Sequence, residues 1–225
     1  MEKTNKTKVA IIGYGNIAQV VAADLVRNNR PVIIAGRDFS KTKTLTDKLG
    51  NLAQPMDIGA AIKEAGIIIL AIWFDAIQSF FYQYEDILQG KIIVDPSNPI
   101  APDGKGGFVK TISQNESAGQ RNAELLPKNA KLAKALGTLG AASLAGVSNQ
   151  KPERSVLFFA TDDKSIDTDI EELIRDMGFS PFHIGGLNQS IRLEVFGDLH
   201  EFGALGKTIS LEEAKELVNT VLISK

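Results

Sequence analysis

An α/β chain built on a doubly wound, mostly parallel sheet is what this sequence predicts, and three observations carry that expectation. Short β-branched apolar runs alternate along the chain with segments of helical period. The runs are continuous instead of alternating, as in strands covered on both faces. A Gly-x-Gly-x-x-Ala turn, Gly13 to Ala18, joins the first run to the first helical segment. The chain has 225 residues, enough for one large domain or one domain plus a small one. Residues 1–150 are expected to form a Rossmann-type domain, and 151–225 a small C-terminal α/β extension completing a substrate cleft.

Val9 to Ile12 is the first strand, and Ile17, Val20, Val21 and Leu25 then recur at helical spacing. Pro31 forbids continuation of that helix beyond Arg27–Arg30. Val32 to Ala35 is the second strand, ending in Gly36-Arg37-Asp38. A helix from Ser40 follows, with Leu45 and Leu49 on its apolar face and Gly50 past its end. A short stretch around Ala53 to Pro55 leads to Asp57, placed to cap a helix carrying Ile58, Ala61, Ile62 and Ala65. After Gly66, Ile67 to Ile72 is the most apolar strand and is expected at the centre of the sheet. Phe74, Ile77, Phe81, Tyr84 and Leu88 mark the next helix, an aromatic stripe at core spacing. Ile92 to Val94 is a further strand, stopped by Asp95-Pro96.

From Asn98 to Gln120 the periodicity fades into a Pro- and Gly-rich loop, with Ala101 to Val109 a candidate lid. Asn122 to Leu126 reads as a short helix ended by Pro127. Lys131 to Leu136 reads as a strand whose apolar positions alternate with Lys131 and Lys134. Gly137 to Gly146 is rich in small residues, which suits either close backbone approach to a ligand or partner, or a plain linker. Val156 to Ala160 is a strand, and Ile170, Leu173, Ile174 and Met177 lie on a helix closed by Gly178. Phe179 to Ile184 is the last strand, and a helix from Asn188 is expected to carry Ile191, Val195, Phe196 and Leu199. Ser210 and Glu213 form a capping box for the final helix.

Bulk properties narrow the function classes. A formal charge of −2 and a pI near 5.8 give no electrostatic case for nucleic acid or anionic membrane. There is no cysteine, which excludes disulfides, thiolate metal sites and cysteine nucleophiles. The polar lead-in lacks the apolar segment of a signal peptide, and the longest apolar stretch, Gly66 to Phe74, falls short of a membrane span. The expectation is a soluble cytoplasmic protein without a metal centre. The small-residue run and the apolar C-terminal helices point to a homodimer.

Strand, glycine turn and helix in succession make a dinucleotide fingerprint. Gly13 allows the tight turn, Gly15 lets a pyrophosphate approach bare backbone, and Ala18 keeps the helix close to the strand. Tyr14, Asn16 and Ile17 complete the turn, where the helix offers free N–H groups to phosphates. NAD sites hold the ribose 2′-OH with a carboxylate near the end of the second strand. Here that position is Gly36, followed by Arg37 and, further on, Lys41 and Lys43, a set that favours a 2′-phosphate and hence NADP(H).

Ligands of open α/β sheets bind beyond the carboxyl ends of the strands. That rule places Ala71, Ile72 and Trp73, then Ser97, Asn98 and Pro99, near the nicotinamide. Trp73 could stack on the ring or anchor the following helix, and Asn98 could bond the carboxamide or simply shape a turn. His183 and His200 read as structural or solvated, not catalytic, and no acid–base residue stands out.

Several ordered segments extend the match. They are the Gly13/Gly15/Ala18 turn, Gly36-Arg37, Asp95-x-x-Asn98-Pro99, Leu126-Pro127 before Lys134-Ala135, Thr161-Asp162-Asp163, Gly178-Phe179, Gly185-x-Leu187 and Glu194. With these the chain resembles the coenzyme F-420-dependent NADP oxidoreductases, and is similar to the soluble part of the six-transmembrane metalloreductases. The resemblance implies hydride transfer between NADPH and a deazaflavin or flavin-like second substrate in a dry cleft. Two positions depart from the family pattern: Trp73 stands where a proline is usual, and Ala135-Leu136-Gly137-Thr138 where Ala-Phe-Asn-Thr is common. Two other functions fit the same motifs. One is NADP-dependent reduction of a small carbonyl or imine, for which Lys105, Lys110 or His183 would be the proton donor. The other is a non-enzymatic NADP(H)-binding redox sensor.

Overall fold

A computed structural model of the chain describes residues 6–223. Its amino-terminal half alternates strand and helix: β1 (Val9–Ile12), α1 (Asn16–Arg27), β2 (Val32–Ala35), α2 (Phe39–Leu49), β3 (Ala53–Met56), α3 (Ile58–Glu64), β4 (Ile67–Leu70), α4 (Phe74–Leu88) and β5 (Ile92–Asp95). A small antiparallel hairpin follows, β6 (Ile100–Pro102) and β7 (Phe108–Lys110), then α5 (Ala118–Glu124), β8 (Lys131–Ala135) and α6 (Ala141–Val147). The remainder supplies β9 (Val156–Thr161), α7 (Asp167–Asp176), β10 (Ser180–His183), the single turn α8 (Ser190–Leu193) and α9 (Leu211–Ile223).

Eight strands form one sheet in the order β10-β9-β8-β5-β4-β1-β2-β3. All neighbours pair in parallel except β8 and β9, so the last two strands run against the other six. The chain reverses direction across the sheet at β1 and β4, whose register aligns Val9 with Ile67 and Ile12 with Leu70. That reversal is the crevice where open α/β sheets take their ligands. The doubly wound sheet expected from the sequence is the fold observed.

β1, β2 and β4 are buried along their whole length, as their unbroken apolar runs require. One face packs against α1, α6 and α7 through Val21, Leu25, Leu144, Leu173 and Ile174. The other packs against α3 and α4 through Ile62, Ile77, Phe81 and Leu88. A third cluster under β9 includes Phe158, Leu199 and Ile209.

Several elements differ from their sequence reading, each for a local reason. The stretch at Ala53–Pro55 is a full edge strand, β3, where the missing N–H of Pro55 is tolerated beside its single neighbour. The central strand stops at Leu70, so Ala71, Ile72 and Trp73 form the loop that follows it. The second helix starts at Phe39 because Asp38, not Ser40, is its cap, accepting the Lys41 N–H at 3.1 Å. Asp57 precedes α3 but makes no side-chain cap bond. The helix expected at Asn122–Leu126 begins earlier, at Ala118, where the Ser117 hydroxyl accepts the Gln120 N–H.

The supposed loop after Asn98 contains the β6–β7 hairpin. At its tip the Asp103 carboxylate accepts the N–H groups of Lys105 (2.7 Å) and Gly107 (2.9 Å). The long helix expected from Asn188 is cut to four residues, because Glu194 turns extended and buries its carboxylate elsewhere. Beyond it Phe196 has φ +75°, and His200 lies in a turn instead of on a helix. The capping box holds: the Ser210 N–H donates to Glu213 Oε2 at 2.8 Å, and the Glu213 N–H returns to Ser210 Oγ at 3.3 Å.

Candidate active site

The glycine turn is shaped by two different needs. Gly13 has φ +127° and donates its N–H to the Ala35 carbonyl at 2.8 Å. A Cβ there would lie 2.2 Å from the carbonyl oxygen of Ala71, so the close contact of β1 and β4 fixes glycine at this position. Gly15 caps α1 with extended backbone, and a Cβ on it would meet nothing within 4 Å. Packing does not explain that glycine. Ala18 is fully buried against the sheet, and the first turn of α1 holds neither an acidic residue nor a side-chain cap. The amino end of α1 therefore presents bare N–H groups with the positive end of the helix dipole.

At the end of β2 the ring of Tyr14 lies on Gly36, and Lys41 Nζ stands 5.6 Å from the ring centroid. Lys41 also approaches Asp38 at 3.9 Å, while Asp38 serves α2 as its cap. Arg37 is exposed, and among the described residues no carboxylate pairs with it.

A cleft of about 350 Å³ opens from this turn across the carboxyl ends of the strands. Gly15, Asn16 and Ile17 form one side. Ala71, Ile72, Trp73 and Phe74 follow from β4, and Pro96, Ser97 and Asn98 from β5. Ile100 and Phe108 of the hairpin, Gly137, Leu139, Gly140 and Ala141 after β8, and Val195, His200 and Phe202 close the far side. The structure thus gathers Gly15, Asn16, Ile17, Ala71, Ile72, Trp73, Ser97 and Asn98 around one space, with Phe108 from the expected lid. Gly13, Tyr14, Ala18, Gly36, Arg37, Lys41 and Pro99 do not line it; all but Pro99 belong to the turn, the end of β2 and the first turn of α2.

Trp73 does not anchor α4 in the core: 61% of it is exposed, at the cleft wall. Asn98 is a staple. Its amide donates to the Gly137 carbonyl at 3.2 Å and accepts the Val195 N–H at 2.7 Å, tying three cleft segments together. Beside it, Ser97 Oγ is buried and without a hydrogen-bond partner.

Under the cleft lies a buried ionic frame. Lys134, one of the two lysines in the expected strand, is only 2% exposed. Its ammonium bonds Asp95 Oδ2 at 3.0 Å and the Ser97 carbonyl, and stands 3.8 Å from Glu194 Oε1. Asp95 also accepts the Ser97 N–H at 2.7 Å and the Asn122 side chain at 2.9 Å. Glu194 accepts the N–H groups of Ala118 and Gly119, each at 3.0 Å, at the start of α5. Burial raises the Glu194 carboxyl above its ordinary range, against the pull of Lys134 and those two N–H donors. The partners are 39 and 60 residues from Lys134 along the chain, so no local pattern discloses them.

His200 is buried in the cleft wall, its Nδ1 accepting the Phe202 N–H at 2.9 Å. Burial lowers its pKa to about 4, although the Gly137 carbonyl and Glu201 oppose that shift. It is therefore a neutral, fixed ring at neutral pH. His183 lies away from the cleft, stacked on Phe159 at 4.6 Å with Nε2 3.0 Å from the Gly185 carbonyl. Lys110 Nζ is held by the carbonyls of Gln114 and Glu116, and Lys105 sits at the hairpin tip. Neither these lysines nor His183 lines the cleft. Among the described residues no helix is long and apolar enough to cross a membrane, and no cluster of acidic or histidine ligands could hold a metal.

Comparison with known proteins agrees with this geometry. Residues 8–99 match the model of the family described as NADP oxidoreductase, coenzyme F420-dependent. Metalloreductase STEAP3 of Rattus norvegicus is 27% identical over 187 residues, 83% of this chain and 36% of its own length. The chain thus spans about a third of that relative. The crystal structure of the hypothetical protein SMa0349 from Sinorhizobium meliloti is 28% identical. It superposes with a TM-score of 0.81 over 92% of this chain and 97% of its own. A provisionally named F420-dependent NADP-reductase of Arthrobacter sp. FB24 shares the fold at 19% identity and a TM-score of 0.70, covering 82% and 87% of the two chains. From β1 to the loop after β5, the chain is similar to the coenzyme F420-dependent NADP oxidoreductase family.

Proposed function

We propose that this chain binds NADPH across its glycine turn and passes hydride to a flat, flavin- or deazaflavin-like ring in the adjoining cleft. One observation carries the reading. The cleft that continues the turn is walled mainly by apolar groups, and the one ionisable side chain in that wall, His200, is already bonded to the chain. Hydride delivery to a conjugated ring needs alignment and exclusion of water more than a side-chain acid.

The residues present fit the coenzyme. Gly15 leaves room for a diphosphate at the bare amino end of α1, since a Cβ there meets no protein atom. Arg37, with no carboxylate partner among the described residues, supplies a forked donor for the 2′-phosphate, and Lys41 adds a second cation. Ser97 Oγ, buried and unpartnered in the cleft wall, is placed to bond the nicotinamide amide. Bound NADPH supplies the hydride. Trp73 and Phe108 offer exposed aromatic faces to an acceptor ring, and Asn98 keeps the Gly137 and Val195 segments in place behind it. The neutral His200 shapes the wall without donating a proton.

Stopped-flow oxidation of NADPH by the protein, against deazaflavin, flavin, quinone and small-carbonyl acceptors, tests the reading. Ring acceptors should outrun the carbonyl compounds by at least roughly tenfold, the discrimination that a site lacking a proton donor imposes. Faster turnover of a small carbonyl or imine would contradict it. NADPH binding with no turnover of any acceptor would mark a sensor instead.

A further inference from the structure

Tyr14 performs a task that the glycine fingerprint does not require of it. Its ring lies over Gly36, the residue that directly follows β2 and occupies the position where NAD sites place a carboxylate. A Cβ on Gly36 would stand 2.6 and 2.8 Å from Tyr14 Cδ1 and Cε1, and 3.3 Å from Thr42 Oγ1. Neither neighbour is free to give way at no cost. Thr42 is buried and donates to the Asp38 carbonyl at 3.1 Å, and Tyr14 is half-buried and packed against the core. The same ring carries Lys41 Nζ 5.6 Å from its centroid, within reach of a cation–π attraction. The nearest native acid, Asp38, is committed to the Lys41 N–H as the cap of α2.

We infer that Tyr14 is a specificity-determining residue for the dinucleotide, acting in two ways through one ring. It fills the space an acid at position 36 would need, and it holds the Lys41 ammonium next to Arg37 for the 2′-phosphate. The inference rests on the NADPH reading above and deepens it. It makes the absence of a carboxylate after β2 a packing requirement of the turn, and it predicts that Gly36 and Tyr14 change together or not at all.

The test measures dissociation constants of NADPH and NADH, with thermal melts, for the wild type, Tyr14→Phe, Tyr14→Ala, Gly36→Asp and the combined Tyr14→Ala/Gly36→Asp variant. Tyr14→Phe keeps the ring and should keep the NADPH-to-NADH preference within about twofold. Tyr14→Ala should lower that preference by roughly threefold to tenfold, through weaker NADPH binding. Gly36→Asp alone should melt below the wild type. The combined variant should recover much of that loss and turn the preference toward NADH. If Gly36→Asp does not fold, Tyr14→Phe and Tyr14→Ala still decide the matter.

Equal weakening of both coenzymes by Tyr14→Ala would overturn the inference. So would a Gly36→Asp protein that melts like the wild type and prefers NADH as strongly as the combined variant. These outcomes, in a wild type that selects NADPH, leave the functional reading standing. A folded wild type that takes up neither coenzyme, or prefers NADH, removes both.

Discussion

The two sides of the cleft are built on opposite principles. The turn side, from β1 to the start of α2, is ordered by close backbone contact: Gly13 against Ala71, Tyr14 against Gly36, Ala18 against the sheet. Its Arg37 is left at the surface without a carboxylate partner among the described residues. The far side, from β5 through β8 to Phe202, is ordered by buried polar groups. There Lys134, Asp95, Glu194 and Asn98 spend their hydrogen bonds on backbone and on each other. One side leaves its charge at the surface, and the other uses its charge to hold three loops in place. Substitutions should separate the two: on the far side they cost stability first, and on the turn side they cost binding first.

The sharpest way to break that contrast is Lys134→Met. Removing one partner of a buried ion pair strands the others, so the variant should lose about 3–5 kcal/mol in urea unfolding. An unchanged midpoint would show that the frame does not hold the far side together. Within the turn, Gly13→Ala and Gly15→Ala should diverge. Gly13→Ala forces a left-handed φ and a clash with Ala71, costing about 1–3 kcal/mol from the backbone alone. Gly15→Ala should melt within a degree or two of the wild type while weakening NADPH, since its Cβ meets no protein atom. Equal melts for the two would contradict the division of labour.

A smaller effect is read in pH. His200 has its pKa lowered from 6.5 to about 4, so its contribution to stability is full above 6.5 and lost as pH falls through 4. Asp24, on α1 beside Arg27 and Ser148, is 1% exposed and is raised by burial from 3.8 to about 6. Its contribution is full below 3.8 and lost as pH rises through 6, the opposite sign. Between pH 5 and 6 the two oppose each other. Compared with the wild type, His200→Gln should lose stability more steeply as pH rises through this window, and Asp24→Asn should gain it. Parallel pH profiles for the three proteins would refute both assignments.

How far the sequence alone reaches follows the same boundary. β1, β2, β4 and the glycine turn declare themselves because their causes are local: continuous β-branched runs, and glycine where backbone meets backbone. β3 is less visible, since Gln54 and Pro55 break the apolar run and only an edge position admits them. The far side is legible only in part. Glu194, one of the residues that carry the family resemblance, makes a buried polar contact, but its carboxylate reaches Ala118 and Gly119, some 75 positions away. The burial of Lys134 is not legible in the strand pattern, which carries no record of Asp95 or Glu194. Phe202 gave no local signal of a cleft wall, and His200 offered only its residue type. The premature end of the helix after Leu193 follows from the same buried carboxylate.

The central claim is that bare amides at the turn hold a diphosphate and that Arg37 selects the 2′-phosphorylated coenzyme. Calorimetric titration of NADPH and NADH into wild type and Arg37→Ala tests it most directly. The account predicts that Arg37→Ala weakens NADPH by roughly tenfold or more, the loss of a charge-assisted forked contact, and leaves NADH within about twofold. Equal losses for the two coenzymes, or no uptake of either by the folded wild type, would contradict it.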